Sequence, residues 1–285
     1  MIPLIRLKKD LFFNGELARV VDVLKGVAAA RYHVLERQGI PSSDYEKVAE
    51  EILTLTDLRD VEHPFVRQKS SRTGVLLITS DTGFLGGLNA QVVSAGLQEA
   101  GPEGSLTVIG DCGVDLLKGG HQSHTAFQGI SDSARLSLAV QVRDHLVREI
   151  LLGHCGRFVV VYPQPISFAV QKVALEPLFP VTEWIPTNRF RRLPSHVLWE
   201  SSLADIVEYV GAERTVARLD GIFAVSRLAE LAARAVHLEG SSQELIRQGK
   251  KIRLQYFRAR HEWIDRSMRE IFSSQLLYGK TKNEG

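Results

Sequence analysis

The chain has 285 residues, 44% of them hydrophobic and 24% charged, which is the composition of one or two globular domains with an ordinary core. Lys and Arg number 35 against 33 Asp and Glu, and this net charge of +2 supports neither a nucleic-acid binder nor an acidic, solvating chain. Two cysteines, Cys112 and Cys155, lie far apart, which excludes a disulfide scaffold and a metal-type spacing and points to a reducing compartment.

The segment from Met1 to Asp10 holds no secretory apolar core, and no run approaches the roughly 20 apolar residues a membrane helix needs. The expected location is the cytoplasm, or the surface of a membrane. Proline placement divides the chain. None lies between Pro3 and Pro41, none follows Pro194, and seven fall from Pro64 to Pro186. Two arms able to form long helices therefore flank a punctuated centre.

In the first arm Leu17, Val20, Val21, Leu24, Val27, Ala28 and Tyr32 recur at helical steps. Gly39-Ile40-Pro41 interrupts them. Ser43 and Glu46 then form a capping box for a second helix with Val48, Ile52 and Leu55 as its stripe. The centre alternates. Val75–Thr79, Leu106–Gly110 and Phe158–Tyr162 read as buried strands, with helices expected from Leu88, around Cys112–Lys118 and over Leu136–Leu152. Gln164 to Pro194 reads as an edge strand and loops. Strand-helix alternation implies a mainly parallel sheet with right-handed crossovers.

From about Ser202 to Leu277 the chain reads as helix almost throughout. Val216, Leu219, Phe223, Leu228, Leu231, Ala235 and Leu238 form one stripe, and Leu245, Ile252, Tyr256, Ala259, Trp263, Met268 and Ile271 continue it. Sixty residues of helix reach about 90 Å, longer than any domain this chain can fold. Gly240 and Gly249 each cost about 1 kcal/mol against alanine and mark places for a bend. The expected fold is α/β: a long antiparallel coiled coil of the N- and C-terminal helices plus a central Rossmann-like α/β domain. The expected divisions are 1–60 and 202–277 as coiled-coil arms, 72–195 as the central domain, and 278–285 as a polar tail.

Three segments, in order, carry a resemblance. Thr79-Ser80-Asp81-Thr82-Gly83-Phe84-Leu85-Gly86-Gly87-Leu88-Asn89 resembles the signature of the F-type ATP synthase gamma subunit, in which a strand ends in Ser/Thr-Asp-Arg-Gly-Leu-Cys-Gly-Gly-Leu-Asn. Leu254-Gln255-Tyr256-Phe257-Arg258-Ala259-Arg260 is similar to that family's Leu-Gln-Tyr-Asn-Arg/Lys-Ala-Arg, with Ile264, Glu270 and Ile271 following in place. Val27-Ala28-Ala29-Ala30-Arg31 resembles the Val-Ala-Ala-Ser-Lys of the amino-terminal helix, and Pro41–Tyr45 lies near the family's Arg-Pro-Tyr. The chain departs from the pattern at Thr82 and Leu85, after the Arg227-containing segment, and around Glu16–Val23. Such departures point to a divergent, alternate F-type ATPase.

The resemblance implies a non-catalytic rotor shaft without cofactors. Its implied partners are the alpha and beta subunits of a hexamer, the epsilon subunit and the membrane c-ring. It also implies a signature turn built on Asp81, Gly83, Gly86, Gly87 and Asn89. The implied shaft and hexamer contacts are Leu24, Val27, Arg31, Arg227, Leu231, Ile252, Gln255, Tyr256, Arg258, Arg260, Ile264, Met268 and Ile271.

Other chemistry is weakly signalled. Gly83, Gly86 and Gly87 at a strand end can cradle a phosphate, yet the spacing matches neither dinucleotide fingerprint nor P-loop. A strand-helix turn in which glycine permits close packing, tied by Asp81 and Asn89, is the better reading. Gly279-Lys280-Thr281 copies only the end of a P-loop and reads as tail. The basic run from Arg247 to Arg260 with Tyr256, Phe257 and Trp263 reads as a solvated face rather than a nucleic-acid surface. His121 and His124 lack a carboxylate partner for a metal. The reading left beside the shaft is a small-molecule or nucleotide-binding α/β protein with a helical interaction arm.

Overall fold

The computed structural model describes residues 4–39, 44–55, 58, 61–118, 124–184 and 199–281, with backbone alone for 274–281. Ser43, His121 and the Lys280 side chain fall outside the described parts. In chain order the elements are α1 (Leu4–Gln38), α2 (Asp44–Leu55), β1 (Thr73–Ile78), α3 (Leu88–Ala100), β2 (Ser105–Ile109) and α4 (Asp111–Leu117). They continue with β3 (His124–Phe127), α5 (Arg135–Leu151), β4 (Arg157–Pro165), β5 (Gln171–Phe179) and α6 (Leu203–Thr281). Helix α6 is one element of 79 residues and continues without a break through Gly240 and Gly249.

The chain divides into two compact units, Met1–Val27 with His237–Gly285, and Ala28–Val236.

The second unit holds a five-stranded sheet ordered β3-β2-β1-β4-β5. All pairs are parallel except β4 with the edge strand β5. The short edge strand β3 has no counterpart in the expected elements. Its four residues are half-buried or exposed and carry no apolar run. Strand alternation sends Leu76, Ile78, Phe158, Val160 and Leu178 into one core with α2, α5 and α6. Val75, Leu77, Leu106, Val108, Val159 and Val161 enter another beneath α3 and α4. A sheet covered on both faces explains why its inner strands are apolar at every position. On α2 the buried residues are Ala49 and Leu53, while Val48 is exposed, so the inward face lies one position beyond the expected stripe.

The first unit is a helical pair. On α1, Leu7, Asn14 and Val21 are buried seven residues apart, with Leu11 and Ala18 half-buried between them and Leu4 and Lys25 half-buried on either side. On α6, Leu238 and Ser242 are buried, and Leu245, Gly249, Ile252, Tyr256 and Ala259 half-buried. Both rows step by three and four, the 3.5-residue period of a coiled coil. The pair is antiparallel: Lys25 Nζ lies 3.0 Å from Glu239, and a Cβ at Gly249 would lie 2.7 Å from Asn14 Oδ1. From His237 to Thr281, α6 extends roughly 65 Å at helical rise.

The expected α1 stripe is only partly this seam. Phe13, Leu17, Val20, Leu24 and Val27 form a second row at the same 4-3 spacing, exposed by 68, 39, 56, 41 and 48%. Two neighbouring rows on one helix merge under a 3.6-residue template. Only burial separates them.

Candidate functional site

The signature turn follows β1. Thr79 donates its hydroxyl to Ile109 O at 2.7 Å and accepts the Gly113 N–H at 3.0 Å. Asn89 Oδ1 accepts the Ser80 N–H and its amide donates to Ser80 Oγ at 2.9 Å, while Asp81 Oδ1 accepts the Asp111 N–H at 3.2 Å. Asp81 and Asn89 thus tie the turn to the first turns of α4 and α3. Gly86 has φ +62°, a left-handed conformation that favours glycine. Gly83 and Gly87 face open space or the end of Gln91, so close packing does not account for them.

The turn's carbonyls, not its amides, meet a charge. Arg234 on α6 donates to Thr82 O at 3.1 Å and Gly83 O at 3.3 Å, and to Glu230 at 2.7 Å. A phosphate cradle needs converging N–H donors. This turn offers oxygen atoms to a guanidinium.

Helix α6 also fills the place where doubly wound sheets hold ligands. Helices α3 and α4 cover one face and α5 the other, so the chain reverses between β1 and β4, and the crevice beyond their carboxyl ends is the usual binding point. Here Ser226 and Glu230 of α6 close on Ile78, Ser80, Asn89 and Pro163 around a cavity of about 10 Å³. Small-molecule sites need about 300–1,000 Å³. Leu85 and Leu88 pack on Ala233 beside it. An open groove of about 690 Å³ nearby is lined by Arg31, Arg227 and Arg234 against Asp81, Asp132 and Glu230, a balanced set that selects no one sign of ligand.

Ion pairs fasten the preceding stretch of α6, from Glu213 to Asp220, on several sides. Arg214 reaches Glu50 at 2.7 Å and stacks 4.1 Å over Trp184. Arg135 holds Asp220 at 2.6 Å and Arg143 holds Glu213 at 2.8 Å. Arg218 grips Glu176 with two nitrogen atoms, and hydrogen bonding to that carboxylate raises its pKa further above the ordinary arginine range. Bidentate arginine pairs fix orientation as well as attraction. The sequence reading missed these pairs because partners such as Arg218 and Glu176 lie 42 residues apart.

The other expected contacts divide by unit. Leu231 is buried in the second unit with Tyr32 and Ala232, and Arg227 is paired with Glu230 at 2.7 Å. Arg31 is exposed and lines the groove. In the first unit Ile252 and Tyr256 lie on the seam, whereas Gln255, Arg258 and Arg260 face outward. Trp263, Met268 and Ile271 are exposed, so the seam expected to run through them ends at Ala259, and the contact candidate Ile264 is exposed as well. Among the described residues no group of three or more His, Cys, Asp or Glu is placed to hold a metal, and no helix is long and apolar enough to cross a membrane.

Fold and site define a chain whose α/β domain spends its ligand crevice on seating its own helix, and whose arms form a helical pair with apolar residues turned outward. A family model described as ATP synthase matches residues 14–275. Curated relatives include an ATP synthase gamma chain of Chlorobaculum tepidum, 25% identical over 89% of this chain and 91% of the relative. One of Geotalea uraniireducens is 24% identical over 96% and 98%. A chain of the Euglena gracilis mitochondrial ATP synthase superposes with a TM-score of 0.75 at 18% identity, covering 98% of this chain and 95% of that one. The protein belongs to the ATP synthase family, as a gamma chain.

Proposed function

We propose that this chain is the rotating central shaft of an F-type ATP synthase or ATPase, coupling ion flow through a membrane c-ring to the catalytic sites of an alpha–beta hexamer. The arms 1–60 and 202–277 supply the shaft. The domain 72–195 is the body held by epsilon and the c-ring. Its place is the cytoplasmic face of the membrane, as a peripheral, non-catalytic subunit.

The observation that carries this reading is the second apolar row on α1. A helix already paired along Leu7, Asn14 and Val21 still exposes Phe13, Leu17, Val20, Leu24 and Val27, and a row of that kind wants an apolar surround. The shaft acts by touching identical beta subunits unequally. Moving a site from 1:99 to 99:1 takes about 5.5 kcal/mol, which apolar burial supplies from roughly 220 Å² at about 25 cal/mol per Å². The first unit carries fifteen Lys and Arg against nine Asp and Glu, leaving twenty against twenty-four for the second. The cations Arg258 and Arg260 then face acidic and polar groups of the ring. The divergence from the family pattern at Thr82 and Leu85 fits an alternate F-type ATPase.

Co-expression with the alpha and beta subunits of an F-type ATPase from the same organism tests the reading. The expected product is a complex holding one copy of this chain per three beta subunits, with ATP hydrolysis that drives ion pumping in membranes. A chain that stays apart from the hexamer refutes it.

A further inference from the structure

Strand β4 pairs with β1 only from Arg157 to Val161, yet it continues to Pro165, and Tyr162–Pro165 pair with Ala174–Gln171 of β5 alone. The sheet thus sends out a two-stranded ribbon. Its tip is closed by the Ile166 N–H on Val170 O at 2.9 Å and the Val170 N–H on Ser167 Oγ at 3.2 Å. Gln171 Nε2 donates to Phe168 O at 3.0 Å, pinning the backbone of the apical residue. Phe168 points back onto α1. Its ring meets Tyr32 edge-on at 4.9 Å and stacks on His33 at 6.2 Å. Tyr32 is buried between this ring and Leu231 and Ala232 of α6. Aromatic pairs in these geometries attract beyond the area they bury.

We propose that Phe168 is a positioning residue for torque transfer: the ribbon grips α1 at Tyr32 and His33, so that a turning force on the sheet reaches both helices together. This rests on the shaft reading above. The ion pairs of Arg218, Asp220 and Glu213 tie the sheet domain to α6; Phe168 supplies a tie to α1. Without it, force enters through α6, and α1 follows by the helical seam.

The test uses the complete membrane-bound complex carrying Phe168→Ala, Phe168→Leu or Phe168→Tyr, with ions pumped per ATP hydrolysed as the readout. Phe168→Ala is expected to lower that ratio about two-fold or more while ATP hydrolysis and the subunit content of the complex are kept. Phe168→Leu falls between, and Phe168→Tyr restores the parent ratio. A Phe168→Ala complex that pumps as efficiently as its parent overturns the grip alone. A parent complex that does not pump removes the shaft reading, and the grip with it. Failure of both Phe168→Ala and Phe168→Leu to assemble, with a working parent, overturns the grip in favour of a folding role.

Discussion

Asn14 of α1 lies against Gly249 of α6, a buried amide facing a position without a side chain inside a largely apolar heptad seam. A polar residue at such a position sets register at a cost in stability. Glycine in mid-helix is unfavourable, and here it gives the amide room. These two departures from an ideal coiled coil therefore fall at one level of the pair, with Lys25 and Ser242 elsewhere along the seam.

Replacing Gly249 by leucine forces the two helices apart and is expected to destabilise the pair by about 1–3 kcal/mol, the usual range for overpacking. Asn14→Leu is expected to raise stability by about 1 kcal/mol and to loosen register. Urea unfolding followed by circular dichroism measures both. A Gly249→Leu chain with an unchanged midpoint would show that the close approach is unimportant.

Ile252 and Leu24 separate folding from docking. Ile252 lies on the seam and Leu24 on the outer row. Ile252→Asp is expected to cost about 2–4 kcal/mol of stability in the isolated chain, since it sets a charge among apolar groups. Leu24→Asp should stay within about 0.5 kcal/mol, yet weaken binding to an alpha–beta hexamer at least ten-fold. Melting curves and a pull-down give the two readouts. Equal loss of stability in both variants would mean that the rows have been assigned wrongly.

Arg234 ties the signature turn to α6 through the Thr82 and Gly83 carbonyls and Glu230. Arg234→Met leaves Glu230, itself 8% exposed, with the Arg227 contact alone from this pair of arginines. Amides of residues 80–87 are expected to exchange with solvent at least ten-fold faster, while those of β1 stay protected. Unchanged exchange in the turn would remove Arg234 from this role.

His145 on α5 sits beside Thr107 at 3.2 Å and Phe127. Burial lowers its pKa, with Glu149 raising it and Arg148 lowering it by smaller amounts. The unfolded chain therefore takes up this proton first as pH falls. The contribution to stability is complete above the unfolded value near 6.5 and declines below it until the folded group titrates as well. Thermal midpoints should fall between pH 7 and 5, and less so in His145→Gln. Parallel curves for the two proteins would exclude this histidine as the source.

Much of the fold is written in local pattern. Continuous apolar runs at Val75–Ile78 and Phe158–Val161 declare strands covered on both faces, and the crossover helices follow from the spacing between them. β3 is illegible because an edge strand with half-buried and exposed residues needs no apolar repeat. The ribbon tip at Phe168 is equally silent, since its partner Tyr32 is over a hundred residues away in the chain.

What the amino-acid sequence determined by itself is the set of elements: two proline-free helical arms, an alternating centre, and 4-3 apolar rows along α1 and α6. Periodicity fixes which way a side chain faces on its own helix, because that depends only on local geometry. Tertiary structure decided which row on α1 became the seam and which stayed open, and that α6 rather than a ligand occupies the crevice between β1 and β4. Those choices depend on which surface meets which, and a partner's identity is not encoded in the period of either surface.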